Sequence, residues 1–179
     1  MNRFLLNLHN KIGDVMYYLK TFFVFSILGH FIENFFYTAK DSGILYGYWT
    51  PIYGMGVIIT IALFNLINKK VRLNKISKFI ITFFIGAIVL SFLEFLSGIL
   101  IEKLLHITFW DYSNQKFNIS RYTSLKMSLI WGVSSLIIIY IIKPLIDKYI
   151  EKIPNIVIYI LITLFAVDCI ISLAPNLIK

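Results

Sequence analysis

Residues 79–104 read FIITFFIGAIVLSFLEFLSGILIEKL. At ~1.5 Å of rise per residue, a helix of this length is longer than the ~30 Å hydrocarbon core of a bilayer. Its charges are confined to Glu94, Glu102 and Lys103. Ala87, Ser91, Glu94, Gly98 and Glu102 recur three or four positions apart, so they share one helix face. Phe92, Leu93, Phe95 and Leu96 fill the remaining faces. The stretch therefore predicts a membrane-spanning helix with one small and acidic face.

Four further runs reach spanning length, at 17–37, 48–67, 123–142 and 155–174. The breaks are Lys40 to Gly43, Asn68 to Arg72, His106 to Tyr122 and Lys143-Pro144 to Pro154. Of the 179 residues, 59% are hydrophobic, and the mean hydropathy is +0.81. A soluble domain is nearer ~45–50% apolar. The expected fold is an all-α integral membrane bundle of five helices forming one transmembrane domain over residues 1–179. A short amphipathic segment is expected at its N-terminus, where Asn7, His9 and Asn10 break the apolar stretch and exclude a signal-peptide reading. The lone Cys169 excludes an internal disulfide framework.

Charge sets the expected orientation. With the N-terminus inside, eleven of the seventeen basic residues fall on the inner segments and six on the outer ones. Only Asp14, Asp147 and Glu151 are acidic on the inner side, so the whole net charge of +8 lies there. Anionic headgroups account for that surplus, and the lipid bilayer rather than nucleic acid is the expected partner. The composition points to an AT-rich bacterial genome and hence to a bacterial cytoplasmic membrane, with the C-terminus outside.

Glu33, Glu94, Glu102, Asp111 and Asp168 all fall toward the outer side. Carboxylates at membrane depth are costly and usually face a bundle interior or a polar cavity. Other spans carry stripes to match: Ser26, Gly29, His30, Glu33 and Tyr37; Ser124, Ser128, Trp131, Gly132 and Ser135; Asp168 and Ser172. Their convergence predicts an outward-facing acidic cavity for a small cationic solute, a metal ion or protons. The competing reading makes Glu94 and Asp168 clasps that bind helices to Arg121 or to serine hydroxyls. Pro51, Gly54 and Gly56 predict an irregular start to the second span. Trp110 and Tyr112 fit an interfacial aromatic belt, whereas Asp111 and Asn118 do not.

Several motifs in order resemble the bacterial membrane family called putative ABC-transporter type IV, of the CmpB type. They are Ser26-xx-Gly29-xxx-Glu33, then Gly43-xx-Tyr46-Gly47-xxx-Pro51-Ile52-Tyr53-Gly54-x-Gly56, then Glu94, Glu102 and Trp110-Asp111-Tyr112-Ser113 with Phe117-Asn118. Arg121 and Trp131-Gly132 follow. The chain departs from the family pattern at His30, Phe109 and Gly47-Tyr48. The resemblance implies a permease-like transport component whose binding candidates are Glu33, Glu94, Glu102, Asp111, Asn118, Arg121 and Asp168. Gly29, Pro51, Tyr53, Gly54, Gly56, Trp110 and Tyr112 would be its structural motif. No GxxxxGK[ST] loop is present, so ATP-driven transport implies an ATP-binding or other transporter subunit as partner. No cofactor is expected, and three metal ligands that fit the family pattern cannot be assembled. Two alternatives stand beside transport, an intramembrane enzyme acting on a lipid or isoprenoid group and a structural or regulatory membrane subunit.

Overall fold

The computed structural model describes residues 3–36 and 44–177, with side chains placed for 13–35 and 44–174. Five helical segments are long and apolar enough to cross a membrane, as the hydropathy predicts. α1 (Arg3–Phe36) runs unbroken from the N-terminal residues into the first span. The expected amphipathic segment is thus the first turns of a longer helix, its side chains lying outside the described residues. Tyr37 and the break at Lys40 to Gly43 lie outside them as well.

An irregular stretch, 44–50, leads to α2 (Pro51–Lys70). The expected irregularity falls before Pro51 and not after it. Proline at the first helical position gives up an N–H that would have no intrahelical partner, and its fixed φ suits the helix. Gly54 and Gly56 continue a regular helix because their missing side chains make room for neighbours. A Cβ at Gly54 would strike Ser26 and the Phe22 carbonyl of α1, and one at Gly56 would meet Leu90.

α3 (Lys75–Leu105) starts at Asn74, whose side chain accepts from the Ser77 N–H at 2.8 Å. It ends at His106 in the left-handed conformation, φ 56°. Thr82, Gly86, Ala87, Leu90, Ser91, Glu94 and Gly98 form its buried face, while Ile88, Phe92, Leu96 and Leu100 are exposed. Leu93 instead lines an apolar cavity of about 40 Å³ beside Trp131.

A loop and a small antiparallel hairpin, β1 (Asn118–Ser120) with β2 (Thr123–Ser124), connect α3 to the fourth span. That span is α4 (Leu125–Ile137), a π-helical turn at Ile138–Ile142 and α5 (Lys143–Ile150). Lys143-Pro144 therefore continues a span that the sequence ended there. Proline cannot supply the bond to the carbonyl four residues back and crowds it. The wider turn just before it absorbs that defect, with the Lys143 N–H reaching back to the Ile138 carbonyl. α6 (Asn155–Leu177) is the fifth span and the least covered, 11% of its apolar window being buried.

The α3–α4 contact is close because Gly86 sits over Ser135 and Gly132 over the Phe83 ring. The Ser91 hydroxyl donates to Ser128 at 2.7 Å across the same contact. Phe25, Val57, Ile61 and Ile139 make the central apolar cluster, midway along the spans.

Candidate functional site

At one end of the bundle two non-helical segments, 44–50 and 106–124, fold back onto the helices. Carboxylates hold both. Asp168, on α6, is 8% exposed and accepts from the backbone N–H groups of Tyr46 and Gly47 at 3.0 and 2.9 Å. The Trp49 indole donates to it at 2.6 Å and Ser172, one turn on, at 2.8 Å. The sequence shows the Asp168/Ser172 pair. It does not show the backbone donors, which come from more than a hundred residues away.

Glu33, near the end of α1, accepts from the Thr50 hydroxyl at 3.1 Å, and Tyr53 faces it too. The Thr50 N–H is bonded to the Ser26 carbonyl at 2.9 Å, and Gly29 leaves space for the Tyr53 ring. Gly29, Pro51, Tyr53, Gly54 and Gly56 thus act together in seating the start of α2 against α1.

Glu94 is 5% exposed on α3. The Tyr112 hydroxyl donates to one of its oxygens at 3.0 Å and Thr123 to the other at 3.3 Å. The Trp131 indole faces the same carboxylate but forms no hydrogen bond of good geometry. The expected Glu94–Arg121 clasp is replaced. Arg121 lies farther out, where its guanidinium joins Glu102 at 3.1 Å and Asp111 at 3.2 Å and lies over the Tyr122 ring. Tyr122 donates a short bond to Glu102, and its ring fills the space left by Gly98. The Trp110 indole donates to the Tyr122 carbonyl at 3.0 Å, so Trp110 and Tyr112 are both fasteners of the loop.

Asn118 begins β1, paired there with Ser124, and its side-chain amide donates a long, 3.4 Å bond to the Ser113 carbonyl. Outside the spans the electrostatics are clear. Hydrogen bonds from Ser113, then Arg121, hold the Asp111 carboxyl below its ordinary range. The Glu102 charge holds the Arg121 guanidinium above its own, and the Glu102 bond raises the Tyr122 phenol.

The candidates thus fall into two groups. Glu33 and Asp168 gather on segment 44–53, and Glu94, Glu102, Asp111 and Arg121 on segment 106–124. Asp168 and Glu94, whose stripes the sequence brings into one cavity, have separate sets of partners. Neither principal cavity is lined by these acids. Among the described residues, no three His, Cys, Asp or Glu side chains are grouped to hold a metal ion. Glu33, Glu94 and Asp168 share one property. Among the described residues no lysine or arginine pairs with any of them.

At the opposite end the sequence missed a polar cluster. The Tyr17 hydroxyl donates to Asp147 at 2.8 Å, Lys143 pairs with the same carboxylate, and Lys20 is buried nearby. The Lys143/Asp147 spacing of four was the available signal.

Comparison with protein families gives a match to putative ABC-transporter type IV over residues 20–173, nearly the whole chain. Neither curated proteins nor solved structures give a match. The chain belongs to that family, and it is a multi-pass membrane protein of a transport type.

Proposed function

We propose, with membership of this transporter family as the premise, that the chain is the membrane-embedded component of a transport system. Its acidic end meets a small cationic solute, a metal ion or a proton. One observation carries the reading. Among the described residues Glu33, Glu94 and Asp168 receive hydrogen bonds from neutral donors and no lysine or arginine offsets their charge, while the His30 ring acts electrostatically on Glu33. Such a charge is costly unless a cation or proton compensates it. Energy would come from an ATP-hydrolysing partner subunit. The orientation is N-terminus inside, in a bacterial cytoplasmic membrane, so a cysteine at Lys116 labels from outside whole cells and one at Lys70 does not.

The test is thermal unfolding of the purified chain in nanodiscs, titrated with Mg²⁺, Mn²⁺ or K⁺ and between pH 8 and 5. One of these raises the midpoint, and Glu94→Gln loses the response. Midpoints that answer to none of them would overturn the reading. A second reading makes the carboxylates purely structural clasps, favoured by the Tyr112 and Thr123 bonds to Glu94. On that reading Glu94→Gln lowers the midpoint equally under every condition.

A further inference from the structure

The end of the bundle away from these acids holds a cavity of about 440 Å³. Its lining includes Asp14, Tyr17 and Lys20 of α1, Ile150 at the end of α5, Glu151, and Asn155 at the start of α6. That volume lies in the range of small-molecule sites. Lys20 is 8% exposed, yet among the described residues it makes no hydrogen bond or ion pair. The nearby Asp147 is already taken by Tyr17 and Lys143. The Lys20 side chain lines the cavity and its ammonium is not among the buried polar atoms left without a partner, so it is open to an anion that a ligand brings.

The rim has the opposite sign. Asp14 and Glu151 are exposed, line the same cavity and pair with no cation among the described residues. Lys20 lies six residues further along α1 than Asp14, about 9 Å deeper by helix rise. The cavity therefore presents one cation at its floor and two anions at its mouth. A simple anion would be drawn by the floor and repelled by the mouth. A zwitterion with its anion leading satisfies both.

We infer that this cavity binds a phosphoethanolamine group, its phosphate on Lys20 and its ammonium on Asp14 and Glu151. The headgroup of a phosphatidylethanolamine lipid carries this pair of charges. Free phosphoethanolamine offers the same chemistry. The site depends neither on the transport reading nor on the orientation of the chain.

The full chain, delipidated in a maltoside detergent, is unfolded thermally with added phosphatidylethanolamine, phosphatidylglycerol or soluble phosphoethanolamine. Phosphatidylethanolamine raises the midpoint by on the order of 5 °C, and phosphatidylglycerol does so less. A rise with the lipid alone assigns a lipid source, and a rise with the soluble compound shows that the headgroup suffices. Lys20→Met abolishes the response, and Asp14→Asn with Glu151→Gln removes the preference over phosphatidylglycerol. Native mass spectrometry of the wild type shows the ethanolamine lipid retained in preference to the glycerol lipid. Should Lys20→Met fail to fold, the wild-type ranking and the rim variant decide the matter. Equal midpoints with every addition, a response that survives Lys20→Met, or phosphatidylglycerol ranking first in the wild type would each overturn the proposal.

Discussion

The two ends of the bundle handle buried charge in opposite ways. At the acidic end, long connections supply hydroxyls, an indole and backbone N–H groups that close over Glu94 and Asp168. At the basic end the described connections are short, residues 71–74 between α2 and α3 and 151–154 between α5 and α6. Among the described residues no loop there is bonded to Lys20, and a cavity stands beside it. Connection length decides which buried charge is met by the protein and which is left for a ligand. The acidic end is therefore a fastened structure and the basic end an open one.

The largest test of that contrast is Asp168→Ala against Lys20→Met. Removing Asp168 strands the Tyr46 and Gly47 N–H groups and the Trp49 indole. Donors left unpaired cost ~1–3 kcal/mol each when buried, and these are only partly so, which places the expected loss at about 2–4 kcal/mol. Lys20→Met in the ligand-free protein should lose nothing. Denaturant midpoints in detergent read both, and equal losses would erase the distinction between the ends.

Next in size is a pair of glycines. A Cβ at Gly98 would lie 2.5 Å from the Tyr122 ring, whereas one at Gly13 meets nothing within 4 Å. Gly98→Ala should cost roughly 1–3 kcal/mol by overpacking. Gly13→Ala should stabilise α1 by roughly 0.5–1 kcal/mol, the usual gain from replacing glycine in a helix. Opposite signs in the same unfolding assay would sharpen the picture of a tight end and an open one.

A smaller effect is the coupling between Glu94 and Tyr112. Glu94→Gln, Tyr112→Phe and the double variant form a cycle whose interaction energy is expected near ~1 kcal/mol. Tyr112→Phe should also free segment 106–124 to proteolysis. Zero coupling would show that the 3.0 Å bond does not hold the loop.

What the sequence made legible is what repeats locally. Hydropathy marks five spans, and the spacing of Ser91, Glu94 and Gly98 marks the buried face of α3. What it hid depends on contacts between distant segments. Nothing in the local pattern assigns Arg121 to Glu102 and Asp111 instead of Glu94, because that choice follows from where the hairpin sets residue 121. The donors to Asp168 are backbone groups, which every residue carries, so no residue type announces them. Pro144 was visible, but whether a proline ends a span or is absorbed by a π-helical turn depends on packing around Ile139. Lys20 counted only as an inner charge, since burial against distant segments leaves no trace in its sequence neighbours.

The smallest expected effect concerns the outermost fastening, Asp111 with Arg121. Both side chains are substantially exposed, at 44% and 41%, so water and salt weaken their attraction. The folded-state pKa of Asp111 is lowered, first by Ser113 and then by Arg121, while Arg121 stays charged under the influence of Glu102. A lowered carboxylate pKa gives stabilisation that is complete above the unfolded value of ~3.9 and is lost as pH falls through the folded one. A spin label at Lys116 should therefore show unchanged loop mobility from pH 8 to 5 and loosening only in stronger acid. Salt should act at neutral pH, because at ~1 M the screening length falls to ~3 Å, about the Arg121–Asp111 separation. Arg121→Gln should bring the salt-loosened mobility at low salt and leave the part of the acid response that the Ser113 bonds carry. Loosening already at pH 6 would place the controlling group elsewhere, among the carboxylates that neutral donors hold deeper in the bundle.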